Sequence, residues 1–502
     1  MSDFILVIDQ STTSTSCFAY APNGTMIDAC SHEFKQYFPA DGWVEHDAEE
    51  IWQTVVTTAR TLLAKPALAG QHCIGIGITN QRETVAVWDR TTGKPIHHAI
   101  VWQDRRTASH CAALREQGLE KTIQAKTGLL LDPYFSATKV AWILDHVDGA
   151  REKAERGALA CGTMESWLIW NLTGGVHATD ETNASRTSLC DIREGAWDDE
   201  LLDIFQVPAA LLPEIRPNQC LFGTSLEETI GVAAPIYAAI GDQQAASFGN
   251  HCFSAGQMKA TYGTGCFVLM HTGEEMILSQ NRLLSTIACR LGDRRTYALE
   301  GSIFMAGAIV QWMRDQMGLF TNASETEALA RAASPTSDVI MVPAFTGLGA
   351  PYWDPNARGA LLGMTRDTQI ADIVRAGLES VSFQTHDLIT AFRADLPKAD
   401  FHLRVDGGMV ENNWFAQNLS DITGLTLARN QDAQATARGA FYLALLGTGH
   451  CADVADLEKL NSADDRIVPA MAEADRQRKI AGWSQSVSHV RGLAADRETS
   501  LT

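Results

Sequence analysis

The period of the apolar residues switches back and forth along this chain, and that alternation limits its fold more than any other feature. "FILVID" (4–9) and "CIGIGIT" (73–79) are short continuous apolar runs of the kind that form buried strands. Between them, "DAEEIWQTVVTTARTLLAK" (47–65) puts Ile51, Trp52, Val55, Val56, Leu62 and Leu63 on one helical face. Asp47 and Glu50 have the spacing of a capping box at its start. Later, "ADIVRAGLESVSFQTHDLITAF" (371–392) carries the helical period through Ile373, Gly377, Leu378, Val381 and Leu388. Strands alternating with amphipathic helices predict an α/β protein. At 502 residues the chain exceeds one ordinary core, which predicts two large domains.

An internal echo suggests where they divide. "VIDQSTTSTSCFAYA" (7–21) is a strand, a hydroxyl-rich turn and a second strand, and "KATYGTGCFVLMHTGE" (259–274) repeats that plan with a Thr/Gly turn. Two such hairpins fit a duplicated domain, with the units spanning 1–250 and 251–502. Acidic residues outnumber basic ones by 60 to 40, for a net charge of −20, which argues against nucleic acid or an anionic membrane as partner. Apolar runs such as "GVAAPIYAAIG" (231–241) fall short of the roughly 20 residues of a membrane span. The N-terminus lacks the pattern of a signal peptide. Eleven singly scattered cysteines without a CxxC pair suit a reducing compartment, so a cytoplasmic location is expected.

No GxxxxGK[ST] or strand-following GxGxxG occurs, so any phosphate site rests on other loops. Thr12, Thr13 and Ser14 crowd the first turn, and Thr264 lies between Gly263 and Gly265 in the second; hydroxyls and amides there can converge on phosphate. In "DGGMVENN" (406–413) two glycines precede a helix start near Asn412, a place that favours anions but is also a common strand-to-helix turn. Asp9 ends its strand where it could hold Mg²⁺ through water, or simply accept turn amides. Arg82 and Glu83 offer donors and an acceptor for two neighbouring hydroxyls, or form a local ion pair. Asp242 and Gln243, in "GDQQAA" (241–246), place a carboxylate fit to take an alcohol's proton beside an amide. Trp102 and Tyr134 supply apolar walls with a polar edge, or ordinary core.

Taken together, "YFSATKVAWILDH" (134–146) and "GALLGMTRDTQIADIVRAGLESVSFQ" (359–384) resemble the two signature segments of the FGGY carbohydrate kinases. "NQRETVAVWDRTTGKPI", "VWQDRRT", "DPYFSATK", "TNASRT", "GDQQAA", "TYGTGCF", "ALEGSIFMAGAIVQW", "PAFTGLGAPYWDP" and "DGGMVENN" resemble, more narrowly, the members that phosphorylate glycerol. The likeness runs in order from about residue 4 to 485. It implies two RNase H-like domains of the actin/Hsp70/sugar-kinase ATPase type, with ATP and glycerol meeting in a cleft between them. By the same resemblance Arg82, Glu83, Tyr134, Asp242 and Gln243 are glycerol ligands, Trp102 and Phe267 its apolar wall, and Asp242 the general base. Thr12, Thr13, Ser14, Thr264, Gly307, Gln311, Gly408 and Asn412 are implied nucleotide contacts. Asp9, through water, and Asp242 are implied at Mg²⁺. The implied reaction is transfer of the γ-phosphoryl group, giving glycerol 3-phosphate. The family commonly assembles as dimers and tetramers.

The chain also departs from its family. The first loop usually reads DQGTTS with an arginine two residues on; here Ser11 replaces the glycine and Ser16 the arginine. Gln434 replaces a glutamate and Arg438 a leucine in "QATARGAFY", where Arg438 could restore charge near the nucleotide. The segment by which some bacterial members bind fructose 1,6-bisphosphate reads "FGTSLEETIG" (222–231), acidic and without arginine, so no inhibition by that ligand is expected. Bulky walls at Trp102, Tyr134 and Phe267 favour a small three-carbon cavity over longer sugars, and a polyol or ketose kinase acting on erythritol or dihydroxyacetone is the alternative. Ser11 and Ser16 are the features that would suit a weakly active, ligand-sensing relative.

Overall fold

The computed structural model describes the backbone of residues 2–430, 434–460 and 465–501, and side chains as far as 493. Strand Asp3–Gln10 runs antiparallel to Ser14–Tyr20, which runs antiparallel to Met26–Glu33. On its other side Asp3–Gln10 lies parallel to His72–Asn80, and that strand lies parallel to Pro235–Gly241. The second half repeats this order. Gln257–Tyr262 is antiparallel to Cys266–Gly273, which leads through Arg294–Ile303 to Leu284–Leu291. Its other neighbour is the parallel strand His402–Asp406, followed by parallel Leu427–Arg429. The two hairpins that echo one another in sequence therefore hold equivalent places in the two sheets.

The sheets join at a seam. Gln219–Thr224 pairs antiparallel with Pro235–Gly241 and touches Leu284–Leu291 through one parallel pair, Gln219 opposite Leu291. Among the described residues this makes one sheet of 13 strands. In such sheets ligands bind beyond the carboxyl ends of parallel strands. Here those ends are Gln10, Asn80 and Gly241 in the first half and Tyr262 and Asp406 in the second.

The helices follow the apolar periods. Helix Ala48–Leu63 buries Ile51, Trp52, Val55 and Leu62, and Val56 and Leu63 flank that face. Asp47 caps it by accepting from the Glu49 and Glu50 amides. The expected capping box is only half formed, because the Glu50 carboxylate turns away to the Lys35 amide (3.0 Å) and the Tyr37 hydroxyl (3.3 Å). Helix Ala435–Gly447, late in the chain, packs on the sheet of the first half, where Phe441, Leu443 and Leu445 meet Ile5, Val7 and Ile240. That approach requires glycine: a Cβ on Gly77 would stand 2.5 Å from the Ala440 carbonyl oxygen. Among the described residues, no helix is long and apolar enough to cross a membrane.

Candidate active site

Just past the end of strand His72–Asn80 the chain makes a tight turn at Arg82-Glu83. The Thr84 amide donates to the Arg82 carbonyl at 2.7 Å, and Glu83 adopts φ 62°, a strained value for a residue with a Cβ. The Ser136 hydroxyl holds this turn by donating to the Glu83 carbonyl at 2.8 Å. Arg82 and Glu83 do not form the local ion pair considered from sequence. Arg82 donates through Nη1 to Glu300 Oε2 (2.6 Å) and Gln244 Oε1 (3.2 Å), and through Nη2 to Glu300 Oε1 (3.2 Å). Glu83 Oε1 accepts from Arg186 Nε at 2.7 Å, and Arg186 Nη2 donates to Glu300 Oε1 at 2.9 Å. Arg82 Nε stands 3.2 Å from Asp242 Oδ1 but is poorly aligned, so that N–H is buried without a hydrogen bond. The fork of Arg82 is thus largely occupied, leaving Nε–H and one Nη2–H for a ligand.

Asp242 is the first residue of helix Asp242–Gly249, where a negative charge is favoured, and its Oδ1 accepts from the Gln243 amide at 2.6 Å. Burial raises Asp242 above the usual carboxylate range, against the opposing pull of Arg82 and Lys259. Asp9 lies nearby with Oδ1 buried and unpartnered. Burial, and the charge of Asp242, push it up to about 7. The Lys259 ammonium reaches to Gln243 Oε1 in the first half and to Thr261 Oγ1 (3.1 Å) on its own strand. An ammonium has no acceptor, so it fixes the Gln243 oxygen toward itself and leaves the amide N–H groups for other partners.

Three aromatic rings close one side. Trp102 meets Tyr134 at 5.6 Å and Phe267 at 6.2 Å between ring centroids, both edge to face. The Trp102 indole N–H donates to Thr12 Oγ1 at 3.0 Å, which ties the wall to the first hydroxyl-rich turn. Buried Lys139 locks the Tyr134 loop by donating to the carbonyls of Pro133 (2.5 Å), Tyr134 (2.6 Å) and Phe135 (3.3 Å).

The turns lie beside this pocket. At the first, Ser11 donates both its amide (2.9 Å) and its hydroxyl (3.0 Å) to the Ser14 carbonyl. At the second, the Gly307 amide donates to the Gly263 carbonyl (2.8 Å), and the Ala306 and Ala308 amides to that of Thr264 (3.1 and 3.0 Å). The turn is thereby seated on the start of helix Gly307–Asp315, whose exposed Gln311 lies one turn on, on the same side as Gly307. At the third, Gly407 has φ 94° and a Cβ there would meet the Tyr262 carbonyl oxygen at 2.5 Å, whereas Gly408 faces open space. Asn412 caps helix Asn413–Thr423: its Oδ1 accepts from the Phe415 amide (3.0 Å) and its Nδ2 donates to Thr326 (3.1 Å). Both ends of its side chain are engaged within the protein, a role not foreseen from the DGG motif.

Arg438, read from sequence as able to restore charge near the nucleotide, lies away from the first turn. It donates to the Gly24 carbonyl (3.3 Å) and lies over Tyr20, at the opposite end of strand Ser14–Tyr20 and roughly 20 Å of strand away from the turn. Four charged residues of the site were not singled out from sequence: Arg186, Glu300, Lys259 and Lys139. The available signal was a lone charge inside an apolar run, as in "YALEGSIF" (297–304) and "MKATY" (258–262).

Residues 4–249 match the N-terminal domain, and residues 258–448 the C-terminal domain, of the FGGY family of carbohydrate kinases. The chain is 54% identical to a glycerol kinase of Alcanivorax borkumensis over 97% of this chain and 98% of that one. It is 51% identical to a glycerol kinase of Ectopseudomonas mendocina, covering 98% and 99%. In structure it is similar to Plasmodium falciparum glycerol kinase with ADP, with a TM-score of 0.93 at 36% identity over 97% of this chain and 98% of that one. A xylulose kinase from Lactobacillus acidophilus shares the fold, with a TM-score of 0.85 at 20% identity over 99% and 98%.

Proposed function

Because the chain belongs to the FGGY family of carbohydrate kinases, we propose that it transfers the γ-phosphoryl group of ATP to a terminal hydroxyl of glycerol, giving sn-glycerol 3-phosphate. The observation that carries the choice of substrate is the aromatic wall in which Trp102 meets both Tyr134 and Phe267, which suits a short carbon backbone. Around it the polar groups suit vicinal hydroxyls. The remaining N–H groups of Arg82 and the amide of Gln243 donate; Glu83 and Asp242 accept; the Tyr134 hydroxyl can do either.

In this reading Asp242 takes the proton of the reacting hydroxyl as that oxygen bonds to the γ-phosphorus. The bond from the phosphorus to the bridging oxygen breaks, and ADP leaves. Its raised pKa makes Asp242 a stronger base than an exposed carboxylate. Little more covalent work is required of the protein, so positioning and charge stabilisation dominate. Thr12, Thr13, Ser14, Thr264, Gly307, Gln311, Gly408 and Asn412 are assigned to the nucleotide, with Asn412 also capping its helix. The buried, unpartnered oxygen of Asp9 fits a hydrated Mg²⁺ held through water, with Asp242 as a second carboxylate. Bound there, Mg²⁺ offsets phosphate charge. The division into units 1–250 and 251–502, a cytoplasmic location and assembly into homo-oligomers belong to the same proposal.

Asp242→Asn tests it. Wild-type protein with ATP, Mg²⁺ and glycerol is expected to form glycerol 3-phosphate. The variant should lose about a hundredfold or more in kcat while binding ATP normally. No product from the wild type, or near-normal turnover by the variant, contradicts the proposal.

A further inference from the structure

Arg82 does not hold its place in the pocket alone. Both of its terminal nitrogens donate to Glu300, which comes from strand Arg294–Ile303 in the other half of the molecule. The Glu300 side chain is 1% exposed, and Arg186 shares the same Oε1. Burial acts to raise Glu300, yet Arg186 and Arg82 hold it down at about 2. The result is an alternating series, part-exposed Asp242 followed by buried Arg82, Glu300, Arg186 and Glu83, in which Glu300 alone comes from the second half.

We infer that Glu300 is a positioning residue for the polyol: it fixes the guanidinium of Arg82 so that the remaining N–H groups face the substrate, and it completes the substrate pocket from across the seam. Buried ion sets stabilise folds no better than apolar side chains of the same volume, so stability alone gives little reason for five charges here. Fixing direction does. A guanidinium clasped through both Nη atoms cannot swing about its long side chain, and its Nε–H is left beside Asp242. Without the Glu300 carboxylate, Arg82 and Arg186 would repel one another, and Arg82 would be drawn toward Asp242, where it would compete with the substrate hydroxyl for the base. The effect should fall on the polyol and spare the nucleotide, because the described bonds of Glu300 go to the two arginines and not to the phosphate turns.

The inference rests on the glycerol reading above, and the test separates the two. Steady-state kinetics of full-length wild type, Glu300→Gln and Glu300→Asp are measured with glycerol and ATP varied independently, and Tm is recorded for each. Glu300→Gln is expected to raise KM for glycerol roughly tenfold or more, the equivalent of one charge-assisted hydrogen bond. KM for ATP should stay within about twofold, since that difference is under 0.5 kcal/mol. Glu300→Asp keeps the charge at shorter reach and should fall between the two. A glycerol KM unchanged in Glu300→Gln overturns the inference, as does an equal loss for both substrates, which marks a purely structural role. If Glu300→Gln does not fold, Glu300→Asp carries the test: it must still raise the glycerol KM selectively, and an unchanged value overturns the inference. Absence of glycerol turnover in the wild type would instead count against the glycerol reading.

Discussion

Ser16 lies directly across the first hairpin from Asp9, and its hydroxyl is spent on Ser31 at 2.9 Å. Asp9 is left with a buried oxygen that none of the described residues satisfies. A guanidinium at position 16 would start from the backbone position paired with Asp9 and could reach both that carboxylate and a phosphate beyond it. A hydrogen bond to a charged group contributes roughly 1.5–3 kcal/mol. Ser16→Arg is therefore expected to lower KM for ATP by about tenfold or to raise kcat by a similar factor. Unchanged ATP kinetics would mean that the serine costs this protein nothing. At this scale the sequence was informative about residue type and silent about pairing. Arg82 and Glu83 stood out as adjacent and opposite in charge, but their partners Glu300 and Arg186 lie 218 and 103 positions away. No local spacing encodes such pairs. Ser11 is similar: its substitution is plain in the sequence, but its double bond to the Ser14 carbonyl is a property of the folded turn.

The turns after the strands are assigned to phosphate, and in the third of them two adjacent glycines have different tasks. Gly407 is needed by the protein, since it has φ 94° and sits against the Tyr262 backbone. A Cβ on Gly408 would meet none of the described residues beyond its chain neighbours within 4 Å. Gly407→Ala is thus expected to lower Tm by several degrees, through strain on the order of 1–3 kcal/mol together with a backbone clash that cannot be relieved by a rotamer change. Gly408→Ala should leave Tm unchanged but raise KM for ATP, because the added methyl enters space assigned to the nucleotide. Thermal melting with ATP titration checks both, and a stability loss at Gly408 equal to that at Gly407 would remove it from the nucleotide site. Elements were the most legible level of this protein. The helical period of 47–65 and the continuous apolar run of 73–79 correspond to helix Ala48–Leu63 and strand His72–Asn80. Their side-chain refinements were less so: Glu50 is drawn to Lys35 and Tyr37 on a neighbouring loop rather than back to its own cap.

Across the described residues, two sheets of matching order meet at one residue pair, and the groups assigned to substrate and nucleotide lie beyond the carboxyl ends of the parallel strands in both halves. The likeness of the two hairpins pointed toward this duplication. It could not show that Glu300 and Lys259 of the second half bond to Arg82 and Gln243 of the first, or that helix Ala435–Gly447 covers the first half's sheet. Such crossings depend on how the halves pack, which apolar periodicity does not record. The central claim is that this assembled pocket selects a three-carbon polyol. It is tested most directly by ADP release, measured in a coupled assay with glycerol, dihydroxyacetone, erythritol and xylulose as acceptors. A higher kcat/KM is expected with glycerol than with erythritol or xylulose, because its short backbone fits between Trp102, Tyr134 and Phe267; turnover only with erythritol or xylulose would contradict it.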